Sequence, residues 1–232
     1  MIALGIAIVA AGFGLAWPLL AHFAPSLAER WPLAAVADVF ELCFALTGVA
    51  IARRRLPDAD FGLRWPRGGS AWIGGAIAWA VALAGVMLVV DHGAGLLHGR
   101  APETTAHGAA DLTGWLAFNL LLVGPCEELL FRGLLLGVLE ALSPSRVRFG
   151  TRSISAAGIV VALLFAVAHA RSFAIEAWPV ALGQQVYAFA FGLLYVWWRE
   201  RSGSLLMPVV VHGLSDALEE VVLYALASIV GR

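Results

Sequence analysis

The sequence predicts an all-α integral membrane protein, a polytopic helical bundle with about seven, or eight, transmembrane helices. The first observation is composition: 61% of the 232 residues are hydrophobic and only 13% are charged, whereas soluble domains average roughly 45–50% apolar and 25% charged residues. The second is that apolar stretches of about 20 residues, the length that spans a bilayer, recur along the chain. The third is that arginines concentrate in alternate loops. A typical cytosolic globular protein and a disordered chain are therefore excluded.

Each element of this prediction is an apolar stretch of spanning length. The first has neither a basic N-terminal region nor a small-residue cleavage site, so it is predicted to be an anchor and not a signal peptide. The last stretch, residues 205–230, would form two helices if it were broken, which would give eight in total. The predicted spans are residues 2–23, 32–52, 71–90, 112–142, 154–170, 177–198 and 205–230.

The arginines predict the orientation of the bundle. Cytoplasmic loops carry an excess of positive residues, and the loops after the second, fourth and sixth spans together carry ten arginines. We therefore expect these loops and the N-terminus to be cytoplasmic, in a bacterial inner membrane. The ten are Arg53, Arg54, Arg55, Arg64, Arg67, Arg146, Arg148, Arg152, Arg199 and Arg201.

The chain is predicted to divide into two parts. Residues 1–110 hold the first three spans, and the longest outer loop, 91–111, begins at their end. Residues 111–232 are expected to form the functional core, and most of the charges inside spans fall there. The net charge is −1 and no basic stripe is present, which excludes a nucleic-acid partner. The expected partners are the lipid bilayer and a peptide or membrane-protein substrate; the oligomeric state stays open.

Charged residues inside spans are the functional candidates, because each costs at least about 2.5–3.5 kcal/mol to insert. In the fourth span Glu128 and Arg132 are four residues apart and face each other. Glu127 is rotated by about 100° and points elsewhere. In the seventh span His212 and Asp216 share one helix face by the same spacing.

Depth in the membrane is consistent with one shared cavity. With a rise of about 1.5 Å per residue, Glu127, His169 and His212 lie roughly 22, 24 and 16 Å from the arginine-rich ends of their helices. We therefore expect the three helices to present these groups to a common interior. Asp38 and Glu41 of the second span either line a polar cavity or lie nearer the membrane surface.

Three short motifs carry a family resemblance. They are EELLFR at 127–132, FAVAH at 165–169 and HGLSD at 212–216. In this order, on three predicted membrane helices, they resemble the EExxxR, FxxxH and HxxxN/D motifs of the CPBP family, the CAAX prenyl proteases and bacteriocin-processing enzymes, also called Abi. The resemblance covers about residue 112 onward. The third motif ends in Asp216, where the prenyl proteases have asparagine.

The resemblance implies an intramembrane endopeptidase. It assigns the general base to Glu127, a water-holding role to His169, and positions near the oxyanion to His212 and Asp216. Glu128, Arg132 and Phe165 are the supporting residues. It also favours a glutamate-type mechanism that requires no cofactor, although the family has been classed as metalloproteases. The alternative is Zn²⁺ held by Glu127, His169, His212 and Asp216, since these residue types ligate zinc.

Two other functions stay open at this point. Intramembrane carboxylates and histidines also mark ion pathways, so a small ion-coupled transporter is one alternative, and a non-catalytic immunity or scaffold protein is the other. For an endopeptidase, the substrate is a peptide bond of a membrane-associated or exported protein. The depth estimate favours exported peptides or C-terminal sorting tails over a prenylated CAAX protein.

Overall fold

The computed structural model describes residues 30–230, which form a bundle of membrane helices. The predicted first span, 2–23, lies outside the described residues. Four described helices are long and apolar enough to cross a membrane: Trp31–Arg55, Gly69–Leu97, Ala156–Ile175 and Trp178–Ser202. The chain is thus an all-α membrane protein in its architecture, while the expected count of seven or eight spans is not confirmed.

The helices are numbered along the described chain. Helix α1 is Trp31–Arg55, α2 is Gly69–Leu97, α3 is 109–142, α4 is Ala156–Ala168, α5 is the single turn Ser172–Ile175, α6 is Trp178–Ser202 and α7 is Leu206–Val230. Within α2 the turn Leu88–His92 is a π-helix, and α3 holds two π segments, Asn119–Val123 and Leu129–Leu135.

Local sequence explains where several helices begin and end. Prolines stand in the first turn of α1 and of α6, where their missing N–H is not needed. The Ser155 hydroxyl caps α4 by accepting from the Gly158 N–H at 2.8 Å. Helix α6 ends at Ser202 and is followed by Gly203, whose φ of 69° is one that glycine adopts without strain.

Two features differ from the predicted elements. The third span was expected to end at residue 90, but α2 continues to Leu97, so Asp91 and His92 belong to a helix and not to the outer loop. Residues 146–155 form an antiparallel hairpin of β1 (Arg146–Phe149) and β2 (Arg152–Ser155), whereas a loop was expected up to residue 153 and the fifth span from residue 154. Gly150, with a φ of 60°, makes the turn, and the alternation of Val147 and Ile154 with polar neighbours suits paired strands.

Contacts between loops fix the two ends of the bundle. At what we call the arginine-rich end, the Arg67 N–H donates to Ser202 O at 2.8 Å and Arg199 donates to Asp60 O at 2.7 Å. Arg146 pairs with Glu200 at the same end, at 2.5 Å. At the opposite end, Glu220 Oε1 accepts from the Ala106 N–H at 3.1 Å. The predicted arginine-bearing loops therefore share one end.

The core combines helices from both predicted parts of the chain. Buried apolar residues of α1 and α2, such as Ala45 and Leu83, join one cluster with residues of α3, α4, α6 and α7. Glycines allow two helices to come especially close, because a Cβ on Gly124 of α3 would lie 2.8 Å from Val209 O of α7. This close approach brings the polar residues of α3 next to those of α7. The division at residue 110 stays a prediction.

Candidate active site

The centre of the site is an ion pair wholly buried in the bundle. Arg132 Nη1 lies 2.9 Å from Glu128 Oε1, and neither side chain has exposed surface. The second guanidinium nitrogen donates to the Gly192 carbonyl of α6 at 3.4 Å. A buried guanidinium is stable only when it is paired and hydrogen-bonded, so Glu128 and α6 together hold Arg132 in place.

Aromatic rings complete the surroundings of Arg132. Its guanidinium carbon lies 4.1 Å from the centre of the Phe165 ring and 5.0 Å from that of Tyr195. The faces of aromatic rings attract cations, most strongly where water is excluded. Phe165, a residue of the second motif, therefore contacts the charged group of the first motif.

Glu128 also orients His212. The same Oε1 lies 2.9 Å from His212 Nδ1. A carboxylate paired with arginine only accepts hydrogen bonds, so Nδ1 carries the proton and donates. Tyr195 stacks on the imidazole at a centroid distance of 5.1 Å and an interplanar angle of 19°, and Phe165 meets it edge-on at 5.8 Å. The histidine ring is thus fixed in both position and direction.

The other nitrogen of His212 points to two carboxylates. Nε2 lies 3.5 Å from Asp216 Oδ2 and 4.0 Å from Glu127 Oε2. Glu127 Oε2 is a buried oxygen without a hydrogen-bond partner among the described residues. The Glu127 side chain keeps 25% of its surface exposed, whereas its neighbour Glu128 keeps none. Adjacent glutamates on one helix therefore have different surroundings, as the rotation of about 100° between them predicts.

His169 lies at the edge of this group. It follows the last residue of α4, and its Nδ1 lies 2.8 Å from the carbonyl oxygen of Phe165. Because a carbonyl only accepts, Nδ1 donates, and in the neutral imidazole Nε2 is left as an acceptor. The ring packs on Phe165 at 4.7 Å, and the histidine interacts electrostatically with Asp216.

The structure therefore brings residues of all three motifs together. Glu127, Glu128 and Arg132 come from α3, Phe165 and His169 from α4 or its end, and His212 and Asp216 from α7. Sequence reasoning missed Tyr195. A tyrosine carries a polar hydroxyl group, and its position in an apolar stretch of helix could have signalled a role in the site. It also left open Asp38 and Glu41, which interact electrostatically with both Glu127 and His212.

The possible metal donors of the site are two carboxylates and two imidazoles. Among residues 30–230, no group of three or more His, Cys, Asp or Glu side chains is arranged to hold one. His169 uses Nδ1 on its own helix and His212 uses Nδ1 on Glu128, so each leaves Nε2 free. Zn²⁺ bound by Glu127, His169, His212 and Asp216 stays an alternative.

Comparison with known proteins gives one match. Residues 109–218 match the family model described as type II CAAX prenyl endopeptidase Rce1-like. This segment contains all three motifs and every residue of the site described above except Asp38 and Glu41. Searches of curated proteins and of solved structures gave no match.

Proposed function

We propose that the chain is an intramembrane endopeptidase that hydrolyses a peptide bond with water activated by Glu127, because residues 109–218 match the Rce1-like CAAX prenyl endopeptidase family. The observation that carries this proposal is the position of Glu127 Oε2. It is a buried carboxylate oxygen without a protein partner, 4.0 Å from His212 Nε2. A water molecule and the carbonyl group of a peptide fit the chemistry of these two groups.

In the proposed reaction Glu127 is the general base. It takes a proton from water while the resulting hydroxide attacks the peptide carbonyl carbon, and it later gives that proton to the leaving amine nitrogen. The acceptor Nε2 of His169 holds the second hydrogen of the water. One water is thereby divided between the new carboxyl group and the new amine, and the enzyme returns to its starting state.

His212 is proposed to stabilise the oxyanion. When Nε2 is protonated, the imidazolium donates to the negative oxygen that develops during attack, in a site where little water screens the charge. Glu128 and Asp216 lie 2.9 and 3.5 Å from this ring and stabilise its positive charge. Asp216 therefore acts as a counter-charge to His212.

The mechanism as proposed uses no metal. The described residues supply a base, an oriented imidazole and charge compensation without one, and no step passes through an ion. Cleavage is therefore expected to persist after treatment with a strong chelator. Loss of cleavage with the chelator, and its return with Zn²⁺, would overturn this part of the proposal.

The proposed substrate is a peptide segment that is membrane-associated or exported. We place the protein in a bacterial inner membrane with its arginine-rich end in the cytoplasm, because positive loops are retained on that side. A peptide that reaches the site from the other side is then an exported chain or a C-terminal sorting tail.

The test compares new protein termini in membranes that contain the wild type, Glu127→Gln or Glu103→Gln. Glu103 is an exposed glutamate in the loop before α3, so its variant is a control with the same chemical change. Loss of a general base lowers rates by about 10²–10⁴-fold. We expect the termini to disappear only with Glu127→Gln, at unchanged protein levels. Retained cleavage in that variant would leave the scaffold or transporter as the better explanation.

A further inference from the structure

A hydrolytic site inside a membrane needs a supply of water. From Glu127, the residues toward the arginine-rich end of the bundle differ in polarity from those toward the opposite end. Toward the arginine-rich end, every residue of α3 from 128 to 138 is buried. These residues are apolar except for the Glu128–Arg132 pair, and they pack against α1, α4 and α6 in the main core. From residue 133 to 138, α3 therefore presents no polar side chain to this packing.

Toward the opposite end, polar side chains follow one another. On α7, Asp216 is followed by Glu219, which lies about 4.5 Å farther along the helix axis. Glu219 interacts electrostatically with Asp216 and with Asp91 of α2. The Tyr187 hydroxyl of α6 donates to Asp91 Oδ2 at 2.8 Å, and the tyrosine also interacts with Glu219 and Asp216. Gln184, one turn earlier on α6, lies beside Asp91.

We call Asp91, Gln184, Tyr187 and Glu219 the polar passage. Its members come from α2, α6 and α7, and its mouth lies at the loop that Glu220 fixes through Thr104 and Ala106. Polar groups at membrane depth are costly and mark water-filled or functional cavities. Asp91 Oδ1 and Glu219 Oε1 are buried and have no hydrogen-bond partner among the described residues. Water is the partner that satisfies such oxygens inside a protein.

We infer that the polar passage connects Glu127 to the aqueous phase at the end opposite the arginine-rich loops, so that water enters, and the peptide is cut, on the non-cytoplasmic side. The inference extends the proposed hydrolysis by naming its route and its side of the membrane. Tyr187 is a positioning residue here, since its hydroxyl holds the Asp91 carboxylate at the passage wall.

The test is cysteine labelling, which does not depend on activity. In a Cys43→Ala, Cys126→Ala background, single cysteines replace Gln184 or Glu219 in the passage. The control is Val186→Cys, two residues from Gln184 on α6, whose side chain is apolar and 64% exposed on the surface of the bundle. Glu103→Cys and Ser145→Cys, both at exposed loop positions, report the two sides of the membrane. The probe is a small cationic, membrane-impermeant methanethiosulfonate, which the acidic passage does not repel.

We expect Gln184→Cys and Glu219→Cys to react from the same side as Glu103→Cys, at least 10-fold faster than Val186→Cys. Reaction from the side of Ser145→Cys, or rates no higher than that of Val186→Cys, would overturn the inference. If Glu219→Cys does not accumulate, Gln184→Cys alone decides, because replacing Gln184 removes no charged group. Failure of the Glu127→Gln test would leave the labelling result unaffected, so the two proposals are judged separately.

Discussion

Replacing Gly124 by alanine tests whether the close approach of α3 and α7 sets the geometry of the site. The added Cβ would lie 2.8 Å from Val209 O and 3.1 Å from Gly213 N, whereas ordinary contact begins at 3.4 Å. Both neighbours are backbone atoms and cannot rotate away. The helices must therefore separate locally by about 0.6 Å, the difference between 2.8 and 3.4 Å.

That displacement acts directly on His212, the residue before Gly213. Its 2.9 Å hydrogen bond to Glu128 would lengthen to about 3.5 Å, where a hydrogen bond is nearly lost. A misplacement of about 1 Å can cost 10²-fold in rate, so we expect kcat to fall by about 10- to 100-fold. Overpacking should also lower the free energy of unfolding by about 1–3 kcal/mol.

The assay measures initial cleavage rates and thermal unfolding of the purified protein, with the substrate identified from the new termini. Gly85→Ala is the matched control, because a Cβ at that helical glycine meets nothing within 4 Å. It should keep the wild-type rate and gain about 0.5–1 kcal/mol of stability. Wild-type rate and stability in Gly124→Ala would refute the link between helix separation and the orientation of His212.

Two further predictions concern stability. Arg132→Met leaves Glu128 buried without its cation and should lower the free energy of unfolding by about 3–5 kcal/mol; adding Glu128→Leu should restore most of it, but not cleavage, because His212 Nδ1 then lacks its acceptor. An undiminished unfolding temperature in the single variant would contradict this. At the arginine-rich end, burial raises the pKa of Asp60, but the Gly62 N–H and the nearby Arg199 and Arg64 guanidinium groups outweigh it and hold that pKa below its usual range. The stabilisation is therefore present above about pH 4 and is lost as the pH falls through the folded-state pKa. Unfolding scans of wild type and Asp60→Asn should differ at pH 6 and converge in acid; a constant difference down to pH 2 would refute the assignment.

The family motifs and the pairs of residues that share a helix face were predictable because they depend on local spacing. Two residues four apart on a helix share a face wherever the helix lies, and Glu128–Arg132 and His212–Asp216 have that geometry in the structure. Membrane character follows from composition alone, since the bilayer requires long apolar helices. The distribution of arginines among the loops likewise identified which loops lie together at one end of the bundle.

Long-range contacts could not be predicted from the sequence. Asp38 and Glu41 carry no motif, and only the packing of α1 on α3 brings them near Glu127. Tyr195 becomes part of the site because α6 lies against α4 at Gly192, where a Cβ would come within 3.0 Å of Ala162. The hairpin at 146–155 was missed because its alternation is short and lies next to arginines that indicate a loop.

By itself, the sequence determined that this chain is a membrane protein, which family motifs it carries and which of its charges share helix faces, because composition and helical periodicity are local properties. The tertiary structure decided that one carboxylate oxygen of Glu128 serves both Arg132 and His212, and that Glu127 is left facing the His212 Nε2. It also decided that Asp91 and Tyr187, 96 positions apart in the chain, meet in the polar passage. The physical reason is that the partner of a buried polar group is set by how helices pack, and packing depends on residues far apart in sequence.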